Sequence, residues 1–155
     1  VVDTAGQIYD VVHHMIPKLR PLALDRFGLA DALDDLLGDW RLQHPGIEFS
    51  LRRNDLPENL GDTLSTTVYR IVQEAVNNAL RHANATRIAI ELGMGDGDLT
   101  ITVEDNGKGL PANWRTPGHY GVIGMRERAF TLGGMLELQK PEGGGLRVFA
   151  RIPLN

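Results

Sequence analysis

The stretch Thr63-Leu64-Ser65-Thr66-Thr67-Val68-Tyr69-Arg70-Ile71-Val72-Gln73-Glu74-Ala75-Val76-Asn77-Asn78-Ala79-Leu80-Arg81-His82-Ala83 decides how the rest of this chain reads. At about 100° per residue, Ile71, Ala75, Val68, Ala79, Val72, Ala83, Val76 and Leu80 fill one continuous arc. The opposite arc carries Gln73, Asn77, Arg70, Arg81, Glu74, Thr67 and Asn78, with Glu74 near its middle. The pattern is an amphipathic helix with one face for a core. Two adjacent asparagines stand in its interior, although Asn is a poor helix former. Glu74 and Asn78 are four apart, so their side chains are neighbours. An amide oxygen is a hard, neutral ligand suited to Mg²⁺. A carboxylate beside it can orient water or take a proton. Read alone, the same face is also what a solvated surface with one glutamate and two asparagines would look like.

Working outward, Ile8, Val11, Val12, Met15 and Ile16 repeat at helical spacing, and Pro17 and Pro21 close that stretch. Leu29, Leu33, Leu36, Leu37 and Trp40 make another amphipathic helix, ended by Pro45-Gly46. Ile47, Phe49 and Leu51 alternate as in a strand. Beyond the central helix, Ile88, Ile90 and Leu92 alternate, as do Leu99, Ile101 and Val103, with the hairpin signal Gly95-Asp96-Gly97 between them. A glycine-bearing loop runs from Asn106 to about Tyr120. A short helix starts near Gly121 and is stopped by Gly133-Gly134. Two last strands, around Leu136 and around Ala150, flank the turn residues Pro141 to Gly145. This order predicts an α+β two-layer sandwich: a mixed, mostly antiparallel sheet covered on one face by helices.

Composition narrows the function classes. Of 155 residues 18 are glycine, against roughly 7% in an average chain. Five precede residue 90 and 13 lie between Gly93 and Gly145, so the second half carries the tight turns and close backbone approaches. The absence of cysteine excludes a disulfide scaffold and a thiolate zinc module. No apolar run reaches the roughly 20 residues of a membrane helix, and no secretory signal opens the sequence. A net charge of −4 argues against a nucleic-acid partner. The chain starts at Val1 within a helical pattern and reads as a fragment of a longer protein. A P-loop, a Rossmann glycine fingerprint, the protein-kinase motif set, a G-x-S-x-G elbow and H-E-x-x-H are all missing. A nucleotide site here must be of another kind.

Two further segments join the polar helix face. Asp105-Asn106-Gly107-Lys108-Gly109 ends a strand. A strand-end carboxylate can accept a hydrogen bond from an exocyclic amine such as adenine's, and the glycines let backbone approach a flat ring. The same residues are also good plain-turn chemistry. Gly118-His119-Tyr120-Gly121-Val122-Ile123-Gly124-Met125-Arg126-Glu127-Arg128 brings a glycine every third residue to a helix start, where unobstructed amides suit an anion. The aperiodic stretch Pro111 to Pro117 before it looks like a lid.

In order, the three segments resemble the N, G1 and G2 boxes of the Bergerat-type ATP-binding fold shared by sensor histidine kinases, DNA gyrase, Hsp90 and MutL. Gly124-Met125-Arg126-Glu127-Arg128, Leu19-Arg20-Pro21 with Leu24-Asp25 and Gly28-Leu29, and Tyr69 to Glu74 resemble the histidine kinases that signal to NarL-type regulators, including nitrate/nitrite sensors. The resemblance runs from about Ile8 to Leu154. It implies ATP and Mg²⁺ as cofactors. Asn78 would hold the metal, and Glu74 would activate the attacking group. Arg81 and His82 would lie beside the phosphates. Asp105 would bind the adenine amine, with Gly107 and Gly109 shaping its pocket. Gly118, His119, Gly121 and Gly124 would form the lid.

The resemblance also implies residues 1–24 as the remnant of a dimerisation and phosphotransfer helix with its linker, and residues 25–155 as the catalytic domain. Its partners would be the parent's own phosphoacceptor domain and a NarL-type response regulator. The parent would be a homodimeric inner-membrane sensor with this domain on the cytoplasmic side, and the shorter chain a monomer. Three departures stand out. Gly145-Leu146 replaces the Gly-Thr that related kinases often carry into the last strand. Val2 holds the position of the acceptor histidine, ahead of Asp3-Thr4-Ala5-Gly6-Gln7. His13 and His14 lack the acceptor's flanking pattern and read as helix-surface residues. The expectation is therefore a chain that binds Mg-ATP without phosphorylating itself. Two other readings compete: a stand-alone ATPase or serine kinase of the same fold, and a non-catalytic signalling module. Leu146 favours the latter, and the intact Glu74, Asn78, Asp105 and lid glycines oppose it.

Overall fold

The computed structural model describes residues 22–57, 60–82, 84–109 and 120–154. Three helices and five strands follow in the order α1 (Leu22–Gln43), β1 (Glu48–Asn54), α2 (Asp62–His82), β2 (Arg87–Gly95), β3 (Asp98–Asp105), α3 (Tyr120–Thr131), β4 (Met135–Gln139) and β5 (Leu146–Pro153). The helix expected over Ile8 to Ile16 lies outside the described residues. The elements expected downstream of it all form, and α1 is broken at Gly28, whose φ of 79° and ψ of 177° no helix contains.

The strands form one sheet in the order β1-β2-β3-β5-β4. β1 and β2 run parallel, joined through α2, and the other neighbours are antiparallel. The sheet is thus mixed and mostly antiparallel, with the helices on one face. The β2–β3 hairpin turns at Asp96 (φ 54°) and Gly97 (φ 80°), two consecutive left-handed residues as a tight hairpin turn requires. α3 stops where Gly133 takes φ 79° and Gly134 donates its N–H to the Ala129 carbonyl at 2.9 Å, a glycine cap that satisfies the helix end.

Register aligns the apolar side chains into rows on the helix-covered face. One row runs Leu51, Ile90, Val103, Val148, Leu138, and the next Leu92, Ile101, Ala150, Leu136. Val68, Ile71, Val72, Ala75, Val76 and Ala79 of α2 are buried in the same core. α1 covers the β1 edge, where Trp40 stacks on Phe49 with centroids 6.0 Å apart. α3 adds Val122, Met125 and Ala129 at the other side. The opposite sheet face is polar and laced by cross-strand pairs. Among them are Glu104 with Arg147 and Asp98 with Arg151, both partly exposed and so of small energetic weight.

Ile101 is 1% exposed at the centre of the middle strand. Ile101→Ala is expected to destabilise the chain by about 2–5 kcal/mol through lost burial and a residual cavity, read from the urea midpoint.

Candidate functional site

The third row of the sheet is different. It reads Phe49, Ile88, Asp105, Leu146: a carboxylate in a line of apolar side chains on the core face. Asp105 is 5% exposed. Its Oδ1 accepts the Gly107 N–H at 2.9 Å. A backbone amide rather than a cation therefore orients the side chain at the strand end.

The sheet reaches this arrangement through glycine. Gly145 sits at φ 90°, and a Cβ there would overlap the Asp105 carbonyl oxygen. Gly109 sits at φ 79°, and its Cβ would stand 3.1 Å from the Gly145 carbonyl oxygen. Gly145 looks in the sequence like simple turn chemistry before β5. In three dimensions it is the residue that lets β5 start against Asp105. Leu146 is the register partner of Asp105 across the β3–β5 pair.

α2 carries the second group of sequence-predicted residues. Glu74, Asn77 and Asn78 are half-buried on one side of it, and Arg81 is exposed near its end. His82 is its last residue; its side chain lies outside the described set. Gly107 and Gly109 are half-buried beside Asp105. Gly121 and Gly124 fall within the first two turns of α3, and open space lies over Gly124. Gly118 and His119 lie outside the described residues. Among the described residues no three His, Cys, Asp or Glu side chains cluster as a metal site. A divalent cation here would rest on an amide oxygen, a carboxylate and oxygens of its ligand, a set that suits Mg²⁺.

The polar arc of α2 is not uniformly open. α3 packs against it and buries Arg70 to 8% exposure. Arg70 Nη1 donates to Gln73 Oε1 at 2.8 Å, and its Nε is buried with no partner. Burial pushes the Arg70 guanidinium below its ordinary value, and the like charge of Arg128 on α3 adds to this. Burial lowers Arg128 too, opposed by the carboxylates of Glu74 and Glu127. The Arg128 guanidinium on α3 thus feels the Glu74 carboxylate of α2. Helical periodicity gives no sign of Arg128, because the contact joins residues 54 positions apart. A separate cavity of about 490 Å³, lined by Leu60, Leu64, Leu132 and Ile152 among others, lies at the opposite end of the sheet from Asp105.

Burial pushes the Asp105 carboxyl above its ordinary 3.8; the Gly107 and Leu146 amides pull it back, and the Glu104 charge adds a small upward push. The folded chain therefore holds this proton more tightly than the unfolded chain. The stability this adds is fully present below 3.8 and is lost as pH rises through the raised value. At neutral pH the buried charge opposes folding, as is common for a group kept for binding.

The sequence family of "Histidine kinase-, DNA gyrase B-, and HSP90-like ATPase" matches residues 63–155. Sensor histidine kinase LiaS of Bacillus subtilis is 32% identical over 151 residues, covering 97% of this chain and 41% of that protein. Signal transduction histidine-protein kinase/phosphatase UhpB of Salmonella typhimurium is 35% identical over 146 residues, covering 94% of this chain and 29% of that protein. The chain therefore spans less than half the length of these curated relatives. Among solved structures, the histidine kinase domain of a blue-light activated kinase from Erythrobacter litoralis aligns with a TM-score of 0.69 at 24% identity, over 81% of this chain and 61% of that one. Acinetobacter baumannii histidine kinase AdeS aligns with a TM-score of 0.69 at 14% identity, over 99% and 84%. At these identities the solved structures show the fold.

Two outcomes follow from the charges. Asp105→Asn has no proton to exchange, so the parent chain is expected to gain stability relative to it as pH falls from 7 through the window just above 3.8. Urea unfolding of both proteins at a series of pH values reads this, and a gap that does not change with pH rejects a burial-raised carboxyl. Arg70→Met keeps the stem and removes the unpartnered Nε and the like charge. It is expected to be at least as stable as the parent, by about 0–2 kcal/mol, and a lower urea midpoint would contradict this.

Proposed function

The chain belongs to the family of histidine kinase-, DNA gyrase B- and HSP90-like ATPases, and on that premise we propose that residues 25–155 are the ATP-binding catalytic unit of a two-component sensor histidine kinase. Residues 1–24 are then the end of a dimerisation and phosphotransfer helix with its linker. The observation that carries the reading is Asp105: an oriented carboxyl placed in an apolar row, at a cost in stability, with a main-chain amide for a partner.

In this reading the Asp105 carboxylate accepts a hydrogen bond from the adenine amine. Gly107 and Gly109 leave its approach free of side chains. Asn78 presents its amide oxygen to Mg²⁺. Glu74, four residues earlier on the same face, orients the attacking group or takes its proton. Arg81 and His82 draw the phosphates to the end of α2. Gly118, His119, Gly121 and Gly124 let main-chain amides close over them at the α3 start. Bound ATP would supply the terminal phosphoryl group, with ADP as the leaving group, and Mg²⁺ held by Asn78 would offset the charge on the phosphate oxygens. The group leaves to a histidine outside residues 25–155 and then to a response regulator.

The names of the similar proteins from B. subtilis and S. typhimurium support the kinase assignment. The motif Gly124-Met125-Arg126-Glu127-Arg128 and the run Leu19-Arg20-Pro21 support a regulator of the NarL type. The parent is proposed to act as a homodimeric membrane sensor with this unit on the cytoplasmic side. No described helix is long and apolar enough to cross a membrane.

Calorimetry with Mg-ATP and Mg-ADP tests the reading, with binding heat expected at protein and ligand concentrations well above micromolar. No heat with either nucleotide rejects it. Asp105→Asn is expected to weaken binding about tenfold or more, the size of one hydrogen bond to a charged acceptor. Unchanged affinity removes Asp105 from the adenine role.

A further inference from the structure

Asn106 follows Asp105 and is solvent-exposed, yet its side chain makes three hydrogen bonds. Its Oδ1 accepts the N–H groups of Thr86 and Arg87, each at 2.9 Å. Its Nδ2 donates to Thr86 Oγ1 at 2.9 Å. Its own N–H reaches the Arg87 carbonyl at 3.3 Å. An exposed amide has water available for all of these bonds, so three side-chain bonds to one dipeptide show that the turn and that dipeptide are shaped to meet.

The dipeptide matters for what it connects. Thr86 and Arg87 lead from the end of α2 into β2, just past Asn84, which takes a left-handed φ of 50°. Asn106 therefore ties the turn after Asp105 to the chain that leaves α2. On its other flank the same turn is closed by Gly109 against the Gly145 carbonyl. The Asp105 carboxyl stands on one side of this tie, and Asn78 and Arg81 stand on the other.

We propose that Asn106 is a positioning residue for nucleotide binding, holding the base-recognising carboxyl of Asp105 and the phosphate-facing end of α2 at one fixed separation. The proposal rests on the nucleotide reading above. A ligand that touches both ends at once gains affinity when their spacing is set before it arrives. Without the tie, Asp105 keeps its amide partner and its place in the sheet, but the distance to α2 relaxes. Asn106 itself touches no ligand atom in this account.

Calorimetry with Mg-ADP on the 155-residue chain, with thermal melts of the same samples, tests it. Asn106→Ala is expected to bind about tenfold more weakly, because the ligand must then bring the two ends to the binding separation itself, and to melt a few degrees lower from the lost hydrogen bonds. Asn106→Asp keeps both N–H acceptors and is expected to return affinity to within about threefold of the parent; it also serves if the alanine variant does not fold. A merely structural role predicts a lower melting temperature with affinity within twofold of the parent, and that result overturns the proposal. So does an aspartate variant that binds as weakly as the alanine one. No heat with the unmodified chain is a different outcome: it overturns the nucleotide reading itself.

Discussion

Where the sheet register calls for an apolar side chain between Ile88 and Leu146, the chain places the carboxylate of Asp105. Taking a charge out of water is unfavourable unless it is hydrogen-bonded. Here the Gly107 main-chain amide supplies a bond, and burial still leaves the carboxyl raised above its ordinary value. Much of the local architecture follows from keeping that group in place. β5 must start tightly against Asp105, which Gly145 alone among residue types permits. The turn after Asp105 must fold back to present the Gly107 amide. Gly109 must pass close to Gly145.

α2 solves a related problem with its two faces. On its apolar side Val68, Ile71, Val72, Ala75, Val76 and Ala79 are buried in the core, which fixes the helix axis. That fixes the direction in which Glu74, Asn78 and Arg81 project. α3 packs on α2 where Arg70 is buried, and its Arg128 brings a second desolvated like charge to that contact. Such an arrangement does not serve stability.

Much of this was legible from residue order. Alternation at Ile88, Ile90 and Leu92 and at Leu99, Ile101 and Val103, with a two-residue turn between them, gives a hairpin by local geometry alone. The apolar arc of α2 gives the buried face because helical periodicity is a local property. Asp105, ending an alternating strand before Asn-Gly, is visible as an odd residue at an inward position. The Arg70–Arg128 juxtaposition, the steric need for Gly145 and the three bonds of Asn106 to Thr86 and Arg87 were not legible. Each joins segments between 19 and 58 residues apart, and nothing in the local pattern at either end encodes the meeting.

The sequence by itself determined the elements, the sandwich class and the family, because periodicity, turn chemistry and ordered motifs are short-range signals. Tertiary structure decided which of the many glycines must be glycine, where on the α2 polar face Arg70 is buried, and what holds Asp105. Those outcomes depend on how closely β5 approaches β3 and how α3 lies on α2. Both are set by close packing of a shared core, which only the folded chain possesses.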